Sequence, residues 1–194
     1  MNKYELLQDD KIEVGGRTLY RIRALKDFKD VKAGDLGSYI EGEKNLSQDG
    51  DCWVYGNAYV YGNARVYDNA RVCDNAYVFD NACVCGNAKV FGNAKVFDNA
   101  KVFDRAEVYG SAKISKANDI LCIAPIGSRN DVTTFFKTKD NNICVKCGCF
   151  TAGTIDNFLG AVEETHGENK HAKAYKLACE LARVQIYLED KINE

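Results

Sequence analysis

A group of polar and basic residues lies around a glycine turn in the last third of the chain and resumes at a second glycine further on. Its members are Ser128, Arg129, Asn130, Thr133, Thr134, His166 and Lys170. Hydroxyl groups, backbone amides beside glycine and basic side chains are the groups that bind a phosphate or a carboxylate. We therefore predict a binding site for a small anionic ligand. The alternative is a strand-connecting turn beside a capped helix, because short polar loops are common in proteins.

Three cysteines, Cys144, Cys147 and Cys149, are the other candidates for chemistry. On a strand, Cys147 and Cys149 would face one way and Cys144 the other, and the chain has no second Cys-x-x-Cys pair. We therefore predict no metal site. We also predict no cofactor, since the chain carries neither a P-loop nor a dinucleotide fingerprint. The alternative function is an enzyme in the C-terminal domain that uses Cys147 or Cys149 together with His166, or a metal bound there.

These residues must be positioned by a chain whose middle third is a strict repeat. Eleven consecutive hexads with the consensus Val-x-x-Asn-Ala-x run from Val54 to about Ile114. The large apolar position holds Val54, Val60, Val66, Val72, Val78, Val84, Val90, Val96, Val102, Val108 and Ile114. The small position, four residues later, holds Ala58, Ala64, Ala70, Ala76, Ala82, Ala88, Ala94, Ala100, Ala106 and Ala112. A fixed period this short indicates a solenoid, in which each turn buries its inner face against the next.

Three hexads are expected to make one coil, so residues eighteen apart should stack at the strand spacing of about 4.8 Å. If each valine points inward, both of its neighbours point outward. The residues that follow the valines then form three outward ladders. They are Tyr55, Cys73, Phe91 and Tyr109, then Tyr61, Phe79 and Phe97, then Tyr67, Cys85 and Phe103. The Gly-Asn and Asp-Asn pairs should occupy the corners, where we expect glycine and asparagine to adopt positive φ. Upstream, the same phase places Leu36 at the large position and Ile40, Leu46 and Cys52 at the small position.

The flanking segments are expected to cap the solenoid, because an open β-helix has unpaired strand edges at its ends. Before the repeat, two strands around Gly15 and Gly16 predict a hairpin, with residues around Trp53 opening the repeat. After it, we predict a small β-β-β-α-α domain with strands at 119–126, 131–138 and 143–150, a helix from the N-cap Thr154 to Gly167, and a helix from Asn169 to about Lys191. The predicted fold class is mainly β, with a cap at 1–35, a solenoid at 36–118 and an α+β domain at 119–194.

The repeat resembles the hexapeptide-repeat family, whose fold is a left-handed parallel β-helix. The resemblance implies left-handed coils and oligomers, commonly trimers. Acyltransferases and carbonic anhydrases of this fold use histidines on the coils. Both histidines of this chain, His166 and His171, lie outside the repeat. Because acyl transfer needs a positioned base and zinc hydration needs three protein ligands, we expect no catalysis in the coils.

The segment around T-L-Y-R-I-R-A-L-K-D-F and D-L-G-S-Y-I-E resembles hexapeptide-repeat proteins encoded by phages and prophages. The C-terminal block, with I-G-S-R-N-D-V-T-T-F-F and C-G-C-F-T-A-G-T, resembles uncharacterised domains attached to the same proteins. Phage origin implies a role in the cytoplasm of an infected host cell, such as interference with host defence. The expected function is therefore a non-catalytic binding protein that captures an anionic ligand, such as a nucleotide immune signal, or a host protein.

Composition limits the partners. The chain has 194 residues and a formal net charge of −2, which argues against binding of long nucleic acid. No apolar run of membrane-spanning length occurs and the first residues lack the apolar core of a signal peptide, so a cytoplasmic location is expected. The outward aromatic ladders predict a homotrimer or higher homo-oligomer, because large apolar patches usually mark interfaces. Two alternatives are stacking of a nucleotide base on these rings and a structural role in a virion.

Overall fold

The chain folds into a parallel β-solenoid of about four turns with a sheet-and-helix domain at its C-terminal end, as shown by a computed structural model that describes residues 2–186 and Leu188. The strands before the repeat are β1 (Tyr4–Val14), β2 (Arg17–Ala24) and β3 (Leu36–Ile40). The strands of the repeat are β4 (Trp53–Val54), β5 (Tyr59–Val60), β6 (Arg65–Val66), β7 (Arg71–Val72), β8 (Tyr77–Val78), β9 (Cys83–Val84), β10 (Lys89–Val90), β11 (Lys95–Val96), β12 (Lys101–Val102), β13 (Glu107–Val108) and β14 (Lys113–Ile114). The C-terminal elements are β15 (Ile120–Ile126), β16 (Asp131–Lys137), β17 (Ile143–Cys147), β18 (Phe150–Thr154), α1 (Ile155–His166) and α2 (Lys170–Gln185).

The coils stack as the eighteen-residue spacing predicts. The three sheets of the solenoid have the strand orders β3-β5-β8-β11-β14, β4-β7-β10-β13 and β6-β9-β12, and their neighbouring strands are parallel. Every valine of the large position and every alanine of the small position is at most 2% exposed. The predicted inward columns are therefore confirmed, and the interior of the solenoid is a continuous stack of Val and Ala side chains.

The predicted phase of the first coil is wrong at Leu36, Ile40 and Leu46, whereas Cys52 lies level with Ala70 at the small position as predicted. Ile40 pairs with Val60 and Leu46 bridges to Val66, so both residues occupy the large position rather than the small one. Leu36 is 51% exposed and does not enter the core. Leu46 pairs with a residue twenty positions later in the sequence, whereas Val54 pairs with one eighteen positions later. The change arises because the segment between Leu46 and Val54 is two residues longer than a regular hexad.

The corners depend on Gly and Asp rather than on Gly and Asn. The residue at positive φ is the first of each corner pair, and it is Asp68, Asp74, Asp80, Asp98 or Asp104 where it is not glycine. The repeat asparagines do not adopt positive φ, so that part of the prediction is wrong. Instead their amides bond along the solenoid, as from Asn63 Nδ2 to Asn81 Oδ1 at 3.2 Å. Such bonds join corners of successive coils in four described pairs, Asn57–Asn75, Asn63–Asn81, Asn69–Asn87 and Asn75–Asn93.

The N-terminal hairpin extends one solenoid sheet, with β1 paired to β2 and β2 paired antiparallel to β3. The segment around it also covers Trp53, which was predicted to point outward but is 1% exposed. Its ring lies edge-on against the rings of Tyr4 and Phe28, with centroids 6.1 and 5.3 Å away. Lys3 is buried beside them and its Nζ donates to the carbonyl oxygen of Cys52 at 3.0 Å. These contacts close the first coil from water.

The C-terminal domain has four antiparallel strands in the order β15-β16-β17-β18, not three. The predicted strand 143–150 ends at Cys147, because Gly148 adopts a φ of +54° and the chain turns back into β18. Both helices follow the sheet. The Thr154 hydroxyl accepts the backbone N–H of Asn157 at 3.3 Å, which confirms it as the N-cap of α1.

The two faces of this sheet have different partners. Ile120 and Phe136 join the core of the solenoid, whereas Phe135 and Val145 pack against α1 and α2. The second predicted helix begins at Lys170, with Asn169 as its N-cap, and ends at Gln185. Of the rest of its predicted range, Ile186 is the C-cap and Leu188 is not helical, and residue 187 and residues 189–191 lie outside the described residues. Over the residues that the structure does describe, neither helix has the length and apolar character needed to cross a membrane.

Candidate functional site

The structure divides the predicted ligand-binding residues among several places around the C-terminal sheet. Ser128, Arg129 and His166 line one cavity between the sheet and the helices, the helix cleft. Thr133 faces the helices, where its hydroxyl donates to Cys147 Sγ at 3.1 Å. Thr134 faces the solenoid, where its hydroxyl accepts the backbone N–H of Glu107 at 3.4 Å.

The two remaining residues lie elsewhere. Asn130 lines a third cavity of about 550 Å³, beside Phe103 and Pro125. Lys170 is exposed at the start of α2 and is not among the described residues that line the helix cleft. The geometry therefore brings together Ser128, Arg129 and His166 and separates the other four predicted residues from them.

The helix cleft has a volume of about 500 Å³ and lies between the β15–β16 turn, the β17–β18 turn and both helices. Its lining residues are Ser128, Arg129, Cys147, Gly148, Cys149, Phe150, Phe158, Ala161, Val162, Thr165, His166 and Tyr175. This volume is within the range of pockets that hold small organic ligands. The lining is mainly apolar, with the polar and basic groups contributed by the two turns and the end of α1.

Gly127 sets the position of the turn that carries Ser128 and Arg129. It adopts a φ of +73°, and a Cβ built on it would lie 1.7 Å from the Tyr175 hydroxyl oxygen. Only glycine lets the turn reach α2 this closely. Burial raises the pKa of Tyr175, and its hydroxyl oxygen lies 3.4 Å from Cys147 Sγ. Tyr175 thus joins the glycine turn to the floor of the cleft.

Arg129 provides the fixed positive charge of the helix cleft. Its guanidinium crosses the β17–β18 turn, where Nη1 is 3.0 Å from the place that a Cβ on Gly148 would occupy. The imidazole of His166 lies at the far end of α1, with its ring centroid 5.9 Å from that of Tyr175. A guanidinium beside a hydroxyl and an imidazole can bind a carboxylate or a phosphate. The cleft can therefore hold an apolar ring together with an anionic group.

The cleft also contains the thiols of the alternative enzyme. Cys147, Cys149 and His166 all line it, and Cys149 is exposed. Cys144 packs on the opposite face of the sheet against the solenoid core, as the strand alternation predicts. Burial raises the pKa of Cys179 to about 12, so that thiol is no nucleophile at neutral pH. A thiol-based reaction would have to use the two cysteines beside Gly148.

A second cleft lies at the seam between the solenoid and the C-terminal sheet, and Thr134 is the one predicted ligand-binding residue among the residues that line it. This seam cleft has a volume of about 270 Å³. Its charged lining residues are Lys89, Arg105, Glu107, Asp131 and Lys146. Two of them depart from the repeat, since Arg105 replaces the corner asparagine and Glu107 replaces the lysine that dominates its position in the later hexads. Departure from the consensus was the sequence signal that could have located the seam.

The seam charges join the two parts of the protein. Lys89 Nζ contacts a Glu107 carboxylate oxygen at 2.8 Å, and Lys146 Nζ lies 3.5 Å from the other oxygen. Arg105 pairs with Asp131 across the seam. The bond from the Val132 backbone N–H, together with Arg105, holds the pKa of Asp131 below its usual range. The solenoid therefore carries a hexad that is modified to hold the C-terminal sheet.

Restoring the consensus lysine at position 107 should weaken the contact between the solenoid and the C-terminal sheet. We expect Glu107→Lys to lower the free energy of unfolding by about 1–2 kcal/mol, because it would place three ammonium groups together without their carboxylate. Urea denaturation followed by circular dichroism measures this change. Glu164→Lys, an equal charge reversal at an exposed position of α1, is the control and should leave the midpoint unchanged. An unchanged midpoint for Glu107→Lys as well would contradict the docking role of this carboxylate.

The aromatic ladders of the solenoid offer few ring faces to a ligand. Tyr61, Phe79 and Phe97 stack with centroids 5.1 Å apart and ring planes within 8° of parallel. A base inserted between two rings would require them to be about 7 Å apart, twice the contact distance of roughly 3.5 Å. Of the aromatic rings in the three predicted ladders, Phe103 reaches 45% exposure and the others are half-buried. Phe79, the inner ring of this ladder, therefore presents only its edge, and a base cannot stack on its faces.

The fold and the two clefts define a class of protein, a parallel β-solenoid that carries a small α+β domain on its last coil. No family model matches the chain. A stretch of 62 residues is 39% identical to YdcK of Escherichia coli (strain K12), which is described as an uncharacterised acetyltransferase. The match covers 28% of this chain and 19% of that protein, so the chain spans only a minor part of the relative's length.

Proposed function

We propose that the protein is a non-catalytic binding protein that captures a small anionic ligand in the helix cleft. The observation that carries this proposal is that Arg129, Ser128 and His166 line the same mainly apolar cavity of about 500 Å³. Apolar walls with a few polar groups at defined places are typical of ligand sites. A nucleotide fits this chemistry, since its base is a flat ring and its phosphate binds arginine.

Removing the guanidinium should abolish most of the binding. We expect Arg129→Gln to weaken ligand binding roughly tenfold or more, because a charge-assisted hydrogen bond is about twice as strong as a neutral one. Native mass spectrometry of protein purified from a nucleotide-rich cell extract measures the occupancy and the mass of the adduct. Arg183→Gln is the matched control, because Arg183 lies on α2, pairs with Asp156 at 2.6 Å and does not line the helix cleft.

The alternative is an enzyme in the same cleft, and the shared position of Cys147, Cys149 and His166 favours it over other chemistries. Under the binding proposal, Cys147→Ser leaves the adduct in place. Turnover of a nucleotide by the purified protein, lost in Cys147→Ser or Cys149→Ser, would contradict the binding proposal and establish the enzyme. Similarity to an uncharacterised acetyltransferase does not supply a histidine base on the coils, because both histidines of this chain, His166 and His171, lie outside the repeat.

We further propose that the protein is phage-encoded and acts in the host cytoplasm, where sequestering a nucleotide signal would oppose host defence. A host protein as the target and a structural role in the virion are the other outcomes of the same experiment. A bare protein with no small adduct would favour a protein partner, and its presence in purified particles would favour the structural role.

A homotrimer is proposed as the assembly. One sheet of the solenoid supports this proposal because it carries two rows of aromatic rings. The first row is Tyr61, Phe79 and Phe97. In the second row Tyr59 lies edge-on to Tyr77, with centroids 5.1 Å apart. Two half-buried rows of aromatic rings on one face are a suitable interface. The mass of the intact assembly appears in the same native spectrum.

A further inference from the structure

We propose that the seam cleft is a second anion subsite, which binds an additional phosphate or carboxylate group of the ligand whose ring occupies the helix cleft. The proposal rests on the proposed function and adds the class of ligand, one with a flat apolar part and at least two anionic groups. The groups that would bind the second anion are Lys89, Arg105 and Lys146.

The charges of the seam cleft are unequal. Lys89, Arg105 and Lys146 carry three positive charges, whereas Glu107 and Asp131 carry two negative charges. Docking of the two parts of the protein needs only equal numbers of each sign. Lys146 is the cation that exceeds the number of carboxylates, and its side chain is largely buried at 15% exposure. An excess positive charge that has lost much of its hydration is costly unless an anion compensates it.

The cations retain donors for such an anion. The Lys89 ammonium has three N–H donors, and its one described carboxylate contact is Glu107 at 2.8 Å. The Arg105 guanidinium has five donors and pairs with one oxygen of Asp131. The cavity of about 270 Å³ would hold several waters at ~30 Å³ each, which is enough space for a phosphate group.

The two clefts share one lining residue, Gly148, in the β17–β18 turn at the end of the sheet. Gly148 has no side chain to project into either cleft. Arg129 Nη1 lies 3.0 Å from its Cβ position, and Lys146 Nζ donates to its carbonyl oxygen. A ligand that extends around this turn would therefore meet a cation from each cleft near Gly148.

The probe is inorganic pyrophosphate, titrated into the full-length protein by isothermal titration calorimetry. We expect saturable binding, weakened roughly tenfold in Lys89→Gln and in Lys146→Gln. Lys113→Gln is the matched control, because Lys113 is an exposed lysine at the same repeat position as Lys95, outside the seam cleft. Circular dichroism checks that each variant is folded. Lys89 is the more informative position, since it is exposed and its loss leaves the Val and Ala columns intact.

Two results would overturn the subsite. One is the absence of pyrophosphate binding to the wild-type protein, and the other is equal weakening in Lys113→Gln, which would indicate general electrostatic attraction. The subsite and the proposed function of the helix cleft are overturned by different results. An adduct from cell extract that depends on Arg129 but not on Lys89 would remove the subsite alone. Pyrophosphate binding that depends on Lys89, with no such adduct, would remove the helix-cleft function alone.

Discussion

Replacing Val84 with aspartate is expected to unfold the solenoid. Val84 is fully buried and pairs with Val66 on one side and Val102 on the other. An aspartate there would bury a charge without a partner between two apolar neighbours. We expect a loss of more than about 4 kcal/mol in the free energy of unfolding, which is at the extreme of single substitutions. Thermal denaturation followed by far-ultraviolet circular dichroism measures it.

The control for this experiment is Asn81→Asp, in the corner that precedes Val84. It introduces the same charge on the same coil at an exposed position and keeps the oxygen that accepts from Asn63. We expect its melting temperature to stay close to that of the wild-type protein. A native spectrum and melting curve for Val84→Asp would show that the valine column does not point inward.

Replacing Gly127 with alanine is the second change with a large expected effect. The new Cβ would be 1.7 Å from the Tyr175 hydroxyl oxygen, and the backbone would have to keep a φ of +73°. The conformational cost and the overpacking together amount to about 2–5 kcal/mol. We expect α2 to lose its protection in hydrogen-exchange mass spectrometry, while the coils around Val84 keep theirs.

Gly160→Ala is the matched control for that substitution. Gly160 lies in α1 with no atom within 4 Å of its Cβ position and without positive φ. Alanine favours a helix over glycine by roughly 0.5–1 kcal/mol, so this variant should be slightly more stable than the wild-type protein. Unchanged protection of α2 in Gly127→Ala would mean that Tyr175 moves freely and that the glycine turn does not fix the helix cleft.

Much of the solenoid follows from the sequence because its period is strict. Eighteen-residue stacking, the Val and Ala columns and the outward ladders depend on local spacing alone, and all of them are present in the structure. Apart from the positive φ assigned to the corner asparagines, the errors arise where the period fails. The two extra residues after Leu46 shift the first coil, and the burial of Trp53 depends on Phe28 and Tyr4, which are distant in sequence.

The candidate site was less predictable, because it depends on which face of a strand each residue occupies. Thr133 and Thr134 are adjacent in sequence but face opposite sides of β16, one toward Cys147 and the other toward Glu107. The turn at Gly148 splits a predicted strand and brings Cys149 beside Arg129. Strand alternation alone separates the two threonines, but the face that meets the solenoid and the turn at Gly148 do not follow from composition or spacing.

The contacts that close the first coil have a consequence for synthesis on the ribosome. Lys3 and Tyr4 bond to backbone oxygens of Cys52 and Leu46, so the N-terminal strand cannot be fixed until those residues have emerged. Each later coil then needs only the one before it, and the C-terminal sheet docks last. Assembly can therefore follow the direction of translation. A truncated chain that stops within the repeat would expose the edge of its last coil, where another unfinished chain could add.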